Sequence, residues 1–170
     1  PDGLIADFNL SSERRHKVHF VLLAPFSGGF ELHFVHIEGP DRQLFDEDGS
    51  VSPRATRALD RVVSWNQQLA RKRASILRTL SRAFLEDDLV QDRDEEPCCR
   101  AGMPLFHPKV SLYFRYNIVM GRSEQLTPER RARRAAFLHA AGVEFMSTDR
   151  LLQGAERADG LAMAGACVTL

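Results

Sequence analysis

From Pro53 to about Leu85 no further proline interrupts the chain, and Ala55, Ala58, Leu59, Val62, Trp65, Leu69, Ile76, Leu80 and Phe84 recur at helical spacing. Ser52 and Pro53 supply an N-cap and a first helical residue whose missing N–H costs nothing. A helix of this length predicts a kink or two consecutive helices. Arg71, Arg73, Arg78 and Arg82 lie among its apolar positions and read as a solvated face. A helix this long needs a surface to lie on, so the flanking segments decide the fold class.

Those segments read as strands. Residues 18–23, VHFVLL, are apolar and rich in β-branched side chains, and residues 30–37, FELHFVHI, alternate up to the Gly39-Pro40 break. Between them Gly28-Gly29 suits a hairpin turn, which predicts two antiparallel strands. Asp48-Gly49 marks a further turn before the helix. Beyond it, the acidic stretch EDDLVQDRDEEP contains few core-forming residues, and 86–104 reads as a mobile loop. After Pro108 a strand follows, apolar on both faces near Asn117–Met120 as a central sheet position requires. Thr127-Pro128-Glu129 opens another helix, Gly142 stops it, VEFMS is a further strand, and TDRLLQGA begins a last helical turn. The order β-β-α-β-α-β-α predicts an α/β domain, a mixed sheet flanked by helices.

The 170 residues, 44% hydrophobic and 27% charged, suffice for one full-sized core, so 1–170 is read as a single domain. Basic and acidic residues are equal in number and the formal charge is zero. No global field therefore draws the chain to nucleic acid or anionic membrane, and any DNA contact must come from a local patch. All basic residues except Lys17, Lys72 and Lys109 are arginines. The guanidinium is the better fork for phosphate, although a GC-rich coding sequence favouring arginine codons explains the skew more simply. Cys98, Cys99 and Cys167 lack zinc spacing and read as free thiols in a reducing, cytoplasmic setting. No apolar run is long enough to span a bilayer. A chain that starts at Pro1 without a signal peptide reads as part of a longer protein with further domains.

The segment FVHIEGP sets His36 and Glu38 two residues apart, where strand pleating points both to one face. Two blocks around and beyond it carry a resemblance. VHIEGPDRQLFDEDGSVSPRATRALDRVVSW and YNIVMGRSEQLTPERRARRAAFLHAAGVEFMSTDRLL together resemble the Shedu antiviral defence proteins, whose core is a nuclease domain of the restriction-endonuclease-like PD-(D/E)xK class. The second block is the more specific, with Gly121-Arg122 and Thr148–Leu152 at the expected strand ends. The resemblance implies a restriction-endonuclease-like mixed β-sheet flanked by helices, action on DNA in antiviral (anti-phage) defence, and assembly as a homo-oligomer. It implies an active site built from one strand acid, an acid-x-lysine pair on the next strand and a supporting glutamine. In this chain those four positions fall on His19, His36, Glu38 and Arg61. The family's metal is Mg²⁺, which is held by carboxylate oxygens and activates a water for attack on phosphate.

Three readings of these residues stay open. In the first the site has decayed, leaving a pseudo-nuclease that serves as a nucleic-acid sensor or a protein-interaction scaffold. In the second His19, His36 and Glu38 form a two-histidine, one-carboxylate ligand set better suited to Mn²⁺ or Zn²⁺ than to Mg²⁺. In the third another acid, Asp7 or Glu31, serves the site. Glu31 lies on the opposite pleat from His36, and Asp7 lies upstream of SSERRHK, which would have to be a loop. Arg61, Arg122, Arg130 and Arg134 make a candidate phosphate-binding patch, set against a solvated helix face for ERRARR.

Overall fold

The computed structural model describes residues 3–11, 16–86, 97–123, 127–129, 132–133, 136 and 142–153. Strands β1 (Gly3–Asn9), β2 (Lys17–Phe26) and β3 (Gly29–Ile37) precede the long helix α1 (Pro53–Glu86). Strands β4 (Ser111–Val119) and β5 (Glu144–Met146) follow it. The strands form one sheet in the order β1-β2-β3-β4-β5. By contact density the chain divides into two units, Pro1–His36 with Arg57–Asn117, and Ile37–Thr56 with Ile118–Leu170.

In the first unit, β1 and β2 pair antiparallel from Gly3↔Leu23 to Asn9↔Lys17, and β2 and β3 pair antiparallel from Phe20↔Val35 to Phe26↔Gly29. The turn between β2 and β3 falls where Gly28-Gly29 predicts it. Strand β1 was not expected from the sequence, because its alternation breaks at Ala6-Asp7, both exposed, and Asp7 adopts a positive φ of 54°. A non-glycine residue in that region is unfavourable, but aspartate tolerates it better than most.

Phe30, Leu32 and Phe34 on β3, with Val21 and Leu23 on β2, present one apolar face. On α1 Trp65 and Leu69 are essentially inaccessible to water, and Trp65 meets His36, which shares this face of β3. The helix changes direction at Lys72, whose backbone (φ −128°, ψ 26°) is not helical. No glycine or proline lies there. Instead the apolar stripe, regular from Ala55 to Leu69, has a gap between Leu69 and Ile76, filled by exposed Arg71, Lys72 and Arg73. Nothing packed there holds the backbone in register. On β4 exposed and half-buried residues alternate from Ser111 to Arg115, and the strand is fully buried only at Ile118 and Val119, with Met120 buried just beyond its end. The two-sided apolar strand expected from the sequence is therefore confined to its end. Ser111 N–H donates to the Gly28 carbonyl at 3.0 Å, where β4 begins beside the β3 hairpin.

In the second unit, Glu38 N–H donates to the Val119 carbonyl at 2.8 Å. The starts and ends of β3 and β4 thus match in the same order, which makes the pair parallel and the sheet mixed. Parallel neighbours need a crossover, and α1 is that crossover. Met120 N–H donates to Met146 O at 3.0 Å and Thr148 N–H to Gly121 O at 2.9 Å, joining β5 to the end of β4. Ser52 caps α1: its Oγ accepts from Ala55 N–H at 3.2 Å and donates to Gln43 O at 2.7 Å. The Asp48-Gly49 turn forms as expected, with Gly49 at φ 83° and an isolated bridge between Phe45 and Val51 closing it. Pro128, Glu129, Ala132, Arg133 and Ala136 are helical, Gly142 has φ 62°, and residues 148–153 are helical as TDRLLQGA predicts. Within 86–104, residues 87–96 lie outside the described residues, and an isolated bridge joins Cys98 to Pro104. Cys98 and Cys99 are free thiols, and Cys167 lies outside the described residues. Among the described residues, no helix is long and apolar enough to cross a membrane.

Candidate functional site

The register that pairs Phe20 with Val35 sets His19 directly opposite His36. Directly opposed residues of an antiparallel pair share a face, and the two imidazoles stack there with ring centroids 4.7 Å apart and planes 13° from parallel. His36 is buried and His19 half-buried. Trp65, from the first half of α1, meets the His36 ring edge-on at 6.0 Å. The sequence reasoning missed Trp65 as part of this group. Its signal was present in the helical spacing, which places it on the apolar stripe that covers β3.

Stacking decides what the pair can do. A metal ion must lie about 2 Å from each ligating nitrogen and close to the plane of its ring. Two planes only 13° from parallel, with rings stacked face to face, do not meet within that reach. As arranged, His19 and His36 do not converge on one ion. Among the described residues, no group of three or more histidine, cysteine, aspartate or glutamate side chains is spaced to hold a metal. Glu38 is half-buried one residue past the end of β3 and is tied through its backbone to Val119. In this arrangement His19, His36 and Glu38 are not set around one ion, and two imidazoles suit Mg²⁺ no better than Mn²⁺ or Zn²⁺.

Arg61 is half-buried one turn before Trp65, on the same side of α1. A guanidinium there adds positive charge to the helix face that covers the histidines, where a glutamine would add none. Arg122 is exposed just after Gly121, and Arg130 and Arg134 lie outside the described residues.

The other acids are placed as follows. Glu31 lies on the opposite face from His36, where its carboxylate meets His33 Nε2 at 3.4 Å and Arg115 Nη2 at 3.3 Å. Asp7 is much nearer the pair than the sequence suggested. Because β1 pairs with β2 through Ala6↔Phe20 and Phe8↔Val18, Asp7 stands across from His19. His19 stays on β2, which begins at Lys17, while residues 12–15 lie outside the described residues. The Asp7 carboxylate is engaged with Lys17 Nζ at 2.9 Å, so its charge is already matched by a cation.

The sequence matches no protein-family model and has no significant match to a curated protein.

Proposed function

We propose that this chain is the nuclease-like domain of a Shedu-type antiviral defence protein in which the metal-dependent cutting chemistry has been lost. In this reading it works in the cytoplasm as a non-catalytic element of the defence assembly that senses DNA. One observation carries the loss of chemistry: the positions that the resemblance assigns to metal-binding acids hold two stacked imidazoles closed by Trp65. Arg61, at the position assigned to the supporting glutamine, makes the place still less hospitable to a cation. The mixed sheet with a helix crossing between parallel β3 and β4 is compatible with a restriction-endonuclease-like fold.

The test is incubation of the protein with linear and nicked duplex DNA in Mg²⁺, Mn²⁺ and Zn²⁺, beside a His36→Ala/Glu38→Ala variant. No metal is expected to support cleavage, while duplex DNA is bound with an affinity that falls steeply as salt rises. Cleavage present in the wild type and absent in the variant would establish an enzyme and end this reading. If DNA is neither cut nor bound, the protein-interaction scaffold replaces the sensor.

A further inference from the structure

Just past the bend at Lys72, α1 faces the segment 105–112 across a cavity of about 390 Å³. That size falls in the range of small-molecule sites. Leu77, Leu105 and Leu112 form its apolar wall, and Phe106 stands half exposed at it. Arg73 and Arg78 also line it, and among the described residues no carboxylate does. The bend sets this half of α1 apart from the half that packs on the histidine pair, so the cavity is independent of that site.

Arg73 and His107 are held in place. The Arg73 guanidinium lies 5.4 Å over the Phe114 ring, an arrangement that engages its face and leaves its N–H edge for an acceptor. His107 Nδ1 accepts from Lys109 N–H at 3.3 Å. The neutral ring therefore carries its proton on Nε2 and is a donor there. Two guanidiniums and one imidazole N–H, with no acid beside them among the described lining residues, favour an anion. The apolar wall and the exposed Phe106 ring select a flat, weakly polar body attached to it, because an aromatic face stacks with a base at little cost in specificity. A phosphate suits the charge better than a carboxylate, since two arginine forks offer more donors than one carboxylate can accept.

We propose that this cavity is a binding site for a nucleoside monophosphate, with the base against Phe106 and the leucines and the phosphate on Arg73, Arg78 and His107. This goes beyond the DNA reading above and does not depend on it.

Calorimetric titration of the protein with adenosine 5′-monophosphate tests it, with adenosine, inorganic phosphate and decanoate as comparison ligands. Saturable binding of the nucleotide is expected, with adenosine and phosphate each at least about tenfold weaker, a difference of roughly 1.4 kcal/mol. Arg73→Ala and Arg78→Ala, both at exposed positions, should each weaken nucleotide binding by a similar factor while leaving the circular dichroism spectrum unchanged. Ala74→Glu, which sets a carboxylate at the exposed wall, should abolish it. The proposal is overturned if the wild-type protein does not bind the nucleotide, or if the arginine variants bind it as well as the wild type. Equal binding of adenosine, or preference for decanoate, overturns it too.

Discussion

His19 and His36 face each other ring to ring across the β2–β3 pair, 4.7 Å between centroids. An imidazole used in this way offers its face to a neighbour and keeps its nitrogens in parallel planes. That is the behaviour of a packed aromatic pair. In-plane nitrogens converging on one point would be the behaviour of a ligand set. The T-shaped approach of Trp65 to His36 adds a third ring to the same group.

Because Trp65 acts through packing, its shape matters more than its indole N–H. That N–H is buried and has no acceptor among the described residues. Trp65→Phe leaves a smaller cavity and removes an unpaired buried N–H, so it is expected to cost about 1–2 kcal/mol. Trp65→Ala should cost about 3–5 kcal/mol through the cavity it leaves. Urea denaturation measures both, and similar losses for the two variants would show that the indole N–H matters after all.

Two adjacent glycines at the β2–β3 turn make a second contrast. A Cβ on Gly29 would lie 1.9 Å from the Ser111 carbonyl oxygen, backbone that cannot move without breaking the start of β4, whereas a Cβ on Gly28 would meet nothing within 4 Å. Gly29→Ala should destabilise by about 3 kcal/mol, at the top of the overpacking range, and Gly28→Ala by much less. Thermal melts of the two variants check this.

Burial pushes the Tyr116 hydroxyl up to about 12 from its usual 10, and the hydroxyl donates to Asn66 Oδ1 at 3.0 Å. The unfolded chain loses this proton near pH 10 and the folded chain later, so between the two the folded state holds more protons. The corresponding stability is complete below pH 10 and is lost as pH rises toward 12. Tyr116→Phe should flatten that decline without altering the neutral-pH slope. Urea midpoints of wild type and variant across the window decide it, and parallel declines would contradict the assignment.

How much of this was legible in the sequence follows from where local signals were strong. The β2–β3 hairpin, the Ser52 cap and the reach of α1 all have short-range chemistry, and they stand where the residues predicted. The bend in α1 was foreseen from length, but its place at Lys72 depends on a gap in packing that no breaker residue marks. Strand β1 was hidden because Ala6 and Asp7 interrupt its alternation and Asp7 takes a left-handed backbone. Missing that strand also made Asp7 look remote from His19, although pairing brings the two opposite each other. The shared face of His19 and His36 could be read from pleating and register, whereas the stacking of their rings is a matter of side-chain rotamers. The cavity beside Arg73 and Arg78 joins residues some thirty positions apart, and in the sequence those arginines looked like an ordinary solvated face.

Calorimetric titration with Zn²⁺, Mn²⁺ and Mg²⁺, run in parallel on the wild type and on His19→Gln at its half-buried position, asks whether the stacked pair can hold an ion. Identical isotherms are predicted for the two proteins with every metal. A saturable site in the wild type, with a Kd on the order of 1 µM, that disappears in His19→Gln would show that the rings open to bind metal and would contradict a packed, non-catalytic pair.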